Sequence, residues 1–333
     1  MGGRLNPRGA SFDAEGPFAR RGVCYGFAPP PMKALATALA AVVTASSAPA
    51  AAQGVDRPMA TAWPAARGWN ASLETRYGRF VQRIGQAVAA GRCRHLNDCL
   101  NSPSINPLHE AGARPLRFRA DCADVPYVLR AYFAYRNRLP FVWTRAMTGR
   151  GGDPRYLLDS RPTGLRRWTE FATPRALFEG IGSEVHSGYF RQAPELDAGD
   201  TYQAAVSRAA IRPGTVFYDP NGHVLVVYEV TPQGEVRLFD GHPDNSLSHP
   251  TLSARQELGP ARFGGGFRNF RPFTFRRGEP AFLRNRQLPL WGGRAPFDRA
   301  RHRVAGAPAE FFAWVRARLA VRPAAPARTV ASR

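Results

Sequence analysis

The stretch 213-PGTVFYDPNGHVLVVYEV-230 decides the architecture of this chain. Residues 215–218 and 222–230 are runs of β-branched and aromatic residues on either side of a Pro-Asn-Gly turn, and 235–240 follows across 231-TPQG-234, a hairpin connection. They predict an antiparallel meander, and 266-GFRNFRPFTF-275 predicts a further strand. Upstream, 119-RADCADVPYVLRAYFAYRNRLPF-141 carries Val125, Val128, Leu129, Tyr132 and Phe133 as one apolar stripe, with Asp121 as N-cap and Pro126 tolerated because it falls in the first turns. Cys122 is therefore expected to open a buried helix. The predicted class is α+β.

The flanks read less sharply. Leu73, Tyr77, Phe80, Val81, Ile84 and Val88 recur at helical spacing behind Asn70 or Ser72, which predicts a helix ending near Gly91. Residues 53–68 read as a polar tether, and 93–115, with 101-NSPSINP-107 inside it, as a stapled loop. Phe141 to Trp143 suits a strand, 148-TGRGGDPRYLLDSRPTG-164 a loop and 174–179 a short helix. Residues 276–293 look irregular; 308–320 hold an amphipathic helix with Phe311, Phe312, Trp314, Val315 and Leu319, followed by a Pro/Ala-rich tail.

Chemistry concentrates on three positions. A thiol attacks only as thiolate, and a helix start offers partial positive charge and unpaired N–H groups that lower the thiol pKa and can hold an oxyanion. Cys122 and its backbone N–H occupy such a place, although a cysteine on an apolar helix is also a small core residue. His223, first in its strand after a turn, is placed to take the thiol proton and return it to a leaving amine. Pairing across 231–234 brings Asp240 back beside His223 to orient the imidazole, and His242 shares its strand parity and competes for that role. Asp244 and Asn245 are weaker candidates. Among the four cysteines, Cys24 lies in the leader, while Cys93 and Cys99 in 93-CRHLNDC-99 are close enough to pair, which leaves Cys122 alone. A metal at Cys93, His95 and Cys99 lacks a clear fourth ligand, and His242, Asp244 and His249 match no metal spacing, so neither a metal nor a cofactor is expected. Gly264 to Gly266 lack the Lys and Ser/Thr of a phosphate loop. Trp143, Trp168 and Tyr189 read first as core.

Asp121-Cys122 opening a helix, Pro213-Gly214-Thr215-Val216 leading a strand, and Gly222-His223-Val224 running into Val226-Val227 resemble the NlpC-type and CHAP-type cell-wall hydrolases over residues 115–275. The resemblance implies a papain-like core with an antiparallel sheet packed on the Cys-bearing helix. It implies a cysteine peptidase or amidase acting on peptidoglycan, with Cys122 as nucleophile, His223 as general base and acid, and an orienting third residue. In CHAP-type members an acidic residue stands about 17 positions after the histidine, where this chain has Asp240; NlpC-type members more often use a histidine, which keeps His242 in play. Ala123-Asp124 replaces the family's Ser-Gly, and a carboxylate beside a thiolate raises its pKa unless it is turned away or paired. A transglutaminase-like acyltransferase shares the Cys, His, Asp order, and an inactive wall-binding module would share the fold.

Composition sets the compartment and the partner. With 333 residues and 44% apolar content the chain can build one substantial core plus extensions, and 32 Gly with 30 Pro predict long connections. The formal charge of +21 comes almost wholly from arginine, Lys33 being the only lysine, and draws the chain to polyanions. The arginines are scattered and carry no nucleic-acid signature, so an anionic envelope polymer fits better than nucleic acid. The segment 32-MKALATALAAVVTASSAPAAAQ-53 has the basic start, short apolar run and small-residue end of a signal peptide cleaved after Ala50 or Ala52. It implies a periplasmic or secreted protein with no membrane span in the mature chain. The expected division is 1–31 over-extended leader before a true start at Met32, 32–52 signal peptide, 53–114 tether, helix and disulfide loop, 115–275 catalytic domain, and 276–333 C-terminal arm. Oligomeric state is not legible.

Overall fold

A computed structural model describes residues 61–321. The leader, the signal-like segment, Cys24 and the tail from 322 onward lie outside the described residues. Helix α1, Ala71–Ala89, starts where Asn70 accepts a hydrogen bond from the Leu73 amide. Helix α2, Leu96–Asn101, occupies part of the segment expected as loop; its six residues are too few to show a helical period. Helix α3, Asp124–Asn137, follows Cys122 rather than containing it, and ends at Arg138 in the left-handed region.

Strands β1, Val142–Arg150, and β2, Leu158–Arg167, form an antiparallel ribbon, which corrects the expected loop over 148–164. Both faces of its outer half are solvated, so no alternation of apolar and polar residues marks it in the sequence. Helix α4, Pro174–Glu184, is capped by Thr173 and runs beyond the expected 179. Strands β3, Thr201–Gln203, β4, Val216–Asp219, β5, His223–Val230, β6, Val236–Gly241, β7, Leu247–Ser248, and β8, Gly266–Phe270, make one antiparallel sheet in the order β3-β8-β4-β5-β6-β7. The run expected as one strand over 266–275 breaks at Arg271-Pro272, and β9, Phe273–Arg276, pairs with β10, Glu279–Phe282, inside a segment expected to be irregular. Helix α5, Phe311–Leu319, closes the described chain.

Alternation along β5 explains the layers. Val224, Val226 and Tyr228 join α1 and α3 in one apolar core, whereas Leu225 and Val227 join α5 in a second. The sheet is thus covered on both sides, and the two terminal helices are packed layers of the fold. Gly85 of α1 sits against Tyr228, whose Cβ would lie 2.2 Å from an added Cβ. Residues 61–68, expected as tether, are anchored too: Trp63 is buried and donates to the Leu139 carbonyl at 2.7 Å.

Irregular segments cover the sheet's ends. Leu247 donates to the Arg94 carbonyl, and His95 bridges Ser246, beside the Cys93–Cys99 disulfide. At the other end Gly292 donates to the Gln203 carbonyl, Ala205 donates to Leu290, and Ala204 bridges Trp291. None of the described helices is long and apolar enough to cross a membrane.

Candidate active site

The turn between β4 and β5 sets up the site. Asp219 accepts from the Asn221 amide with one carboxylate oxygen and from the Glu257 amide with the other. The buried Arg191 donates to the Pro220 carbonyl at 3.1 Å, and Tyr156, from the tip of the β1–β2 ribbon, donates to the Asn221 carbonyl at 3.0 Å. Gly222 has φ +96°, and a Cβ there would lie 2.6 Å from the Tyr156 hydroxyl, so only glycine suits the position. His223 then starts β5.

The β5–β6 register pairs Val226 with Phe239, and continued three pairs outward it sets His223 opposite His242, with Asp240 diagonal to His223 on the same face. His223 Nε2–H donates to Asp240 Oδ2, and Ser248 donates to Asp240 Oδ1. The His242 ring stacks 6.1 Å from that of His223, and its Nε2 is 3.9 Å from Asp240 Oδ2. Asp240 is therefore the carboxylate held against His223, and His242 lies alongside. The His223 side chain is 23% exposed and that of Asp240 only 3%.

Cys122 reaches this place from the other layer. The segment before α3 is fixed by Asn245, which accepts from the Ala120 amide at 3.0 Å, and by Asp121, which accepts from the Ala123 amide at 3.0 Å. Gly241 lets it pass, since a Cβ there would fall 2.9 Å from Val125 Cγ2 and 3.0 Å from the Ala120 carbonyl. Cys122 Sγ lies 4.0 Å from the Gly222 carbonyl oxygen, immediately before His223, and the residue is fully buried. By alternation His223 and Asp240 belong to the face of Leu225 and Leu238, whereas Cys122 packs in the core on the other face with Val224 and Val226.

Two expectations about thiols divide here. Cys93 and Cys99 are disulfide-bonded as expected. Cys122 was expected to stand alone, but it too is disulfide-bonded. Spacing within 93–99 could suggest the first pair; nothing in the sequence around Cys122 marks it as bonded.

Asp124, the departure from the family pattern, is turned inward. Its Oδ2 accepts from the Asp121 amide at 2.9 Å while Oδ1 is buried without a partner among the described residues. Burial, and then the neighbouring Asp121 charge, push its carboxyl well above the ordinary range, so it favours the neutral form beside Cys122. Burial also raises Asp121, against the hydrogen bonds it accepts.

Among the described residues no group of three or more His, Cys, Asp or Glu side chains is arranged to hold a metal ion, so His242, Asp244 and His249 do not assemble one. Asp244 caps Ser246, and Trp143, Trp168 and Tyr189 are core residues. Ser248, Tyr156 and Arg191 are site residues that sequence reasoning missed, and only the Pro-Asn-Gly turn hinted that something must grip it; Asn245, weighed as an orienter of the histidine, instead holds the Ala120 amide.

Comparison with protein-family models, with curated proteins and with solved structures finds no match to this chain.

Proposed function

We propose that this chain is an exported thiol hydrolase of papain-like type that cleaves an amide bond in peptidoglycan. The observation that carries the reading is the His223–Asp240 pair at the start of β5, with the Cys122 sulfur 4.0 Å from the adjoining Gly222 carbonyl. The order of a cysteine just ahead of a helix, a His-bearing strand and an acid on the next strand supports the papain-like assignment.

Because Nε2 is committed to Asp240, Nδ1 is the nitrogen that accepts the thiol proton. The reduced Cys122 thiolate then attacks the amide carbonyl, and the Cys122 N–H steadies the oxyanion. Collapse breaks the C–N bond as His223 returns the proton to the leaving amine. Water, deprotonated by His223, cleaves the thioester, and the carboxylic acid and free thiol are restored. Asp240 and Ser248 hold the ring throughout. No cofactor enters these steps. The charge of +21 favours an anionic wall polymer as partner.

The test is incubation of the reduced protein with peptidoglycan, with Cys122→Ala as control, followed by mass spectrometry of soluble fragments. New amine and carboxylate ends that require Cys122 are expected, and products formed equally by the alanine variant would reject the mechanism. A parallel reaction with added primary amine separates hydrolysis from transglutaminase-like transfer, since transfer incorporates the amine.

The complete burial of Cys122 and its disulfide favour a second reading, a catalytically silent wall-binding module. Under it, a thiol-directed probe labels reduced Cys122 no faster than a free cysteine, and Cys122→Ala leaves polymer binding unchanged.

A further inference from the structure

A second site lies at the opposite end of the sheet from β7, between the β9–β10 hairpin and the end of β8. It is a cavity of about 410 Å³, and Arg271, Arg276, Arg284 and Arg286 line it, with Asp197 as the only carboxylate in the lining. Four guanidinium groups face one carboxylate. That carboxylate is already divided: Oδ1 accepts from the Asn285 amide at 2.6 Å and lies 3.5 Å from Arg271, and Oδ2 lies 3.8 Å from Arg284. Arg276 and Arg286 have no acidic partner within 4.0 Å among the described residues, and both are exposed.

Arg271 makes this more than a basic surface. Its side chain is 1% exposed; Nη1 donates to the Leu283 carbonyl at 2.8 Å and Nη2 to Thr201 at 3.4 Å, while Nε is buried with no acceptor among the described residues. Arg130, also buried, shows the usual solution, with both terminal nitrogens on the Glu74 carboxylate. Arg271 has only the distant, shared Asp197 carboxylate and a buried Nε without an acceptor among the described residues; leaving such a guanidinium donor unmet is costly, and an anion in the cavity would supply the acceptor.

We infer that this cavity binds a phosphoryl group, and that it anchors a phosphate-bearing ligand away from the His223 site. Four guanidinium charges against one carboxylate leave an excess of three, and a phosphoryl group offers three acceptor oxygens to forked guanidinium donors. Thr274 adds a hydroxyl to the wall. In the plane of the sheet β3 is separated from β5 by β8 and β4, roughly 14 Å at the ~4.8 Å spacing of neighbouring strands. A polymer could span that distance and touch both places.

Calorimetric titration of the full chain with inorganic pyrophosphate tests this, with malonate as a dicarboxylate comparison and binding read as heat, independently of any chemistry at Cys122. Pyrophosphate should bind at least about tenfold tighter than malonate. The double variant Arg284→Gln/Arg286→Gln, at exposed positions, should weaken pyrophosphate by about tenfold or more, the scale of losing charge-assisted hydrogen bonds. Arg316→Gln/Arg318→Gln on α5 removes the same charge elsewhere and should leave binding unchanged. No binding, equal affinity for malonate, or equal weakening by both double variants would each overturn the inference.

Discussion

His223 gives one ring nitrogen to Asp240, and Asp240 gives its other oxygen to Ser248, so imidazole, carboxylate and hydroxyl form one chain of fixed orientation. Asp124, two residues after Cys122, is a carboxyl set by burial and its neighbour Asp121. Held well above its ordinary range by burial, it keeps its proton in the folded state at pH values where the unfolded chain has lost it. Its contribution to stability is therefore full below the unfolded carboxyl pKa of about 3.9 and is lost as pH rises through the folded value. Asp124→Asn should remove that decline, so its melting temperature gains on the parent between about pH 4 and neutrality. Parallel curves across that range would show that Asp124 ionises freely.

At the scale of elements, the start of α3 and the end of β6 pass at van der Waals distance because residue 241 has no side chain. Gly241→Ala should cost about 1–3 kcal/mol in denaturant unfolding, the usual price of overpacking, by pushing the Ala120–Asp121 backbone off the strand. Gly152→Ala, where an added Cβ meets nothing within 4 Å, should change little, and equal losses at both sites would refute the close approach. Strands β4 to β6 were legible because they are buried on both faces and bounded by strong turns. Helices α1 and α3 were legible from their apolar stripes. The β1–β2 ribbon was hidden because its outer half is solvated on both faces, and β10 because short hairpins leave little pattern. The same logic divides the site: Asp240 followed from hairpin register, whereas Ser248, Tyr156 and Arg191 arrive through long-range packing that no local spacing announces. The disulfide at Cys122 was illegible for the same reason.

At the scale of the whole molecule, the ion pair between Glu74 of α1 and Arg130 of α3 joins the two helices that cover one face of the sheet. Arg130 also lies 3.4 Å above the Trp69 ring, and its side chain is 8% exposed against 23% for Glu74. Burial opposes ionisation of Glu74, but the Arg130 charge and hydrogen bond outweigh it and hold the carboxyl below its usual range. Glu74→Gln strands the guanidinium and should cost about 3 kcal/mol at neutral pH in equilibrium unfolding. A loss under about 0.5 kcal/mol, the scale of an ordinary surface substitution, would show that Trp69 and Tyr77 suffice to hold Arg130.

The segments that lie along β7 and β3 have a further effect on recognition. Arg94 and His95 on one side, and Leu290 to Gly292 on the other, engage backbone groups at the two ends of the sheet that an incoming extended peptide would otherwise use. Residues 250–252 do the same for the outer side of β6. Strand addition, by which a sheet edge reads a peptide through its main chain, is thereby closed off at these positions. Any ligand of this protein must be recognised there by side chains and turns, which gives selectivity for chemical groups in place of a general affinity for extended backbone.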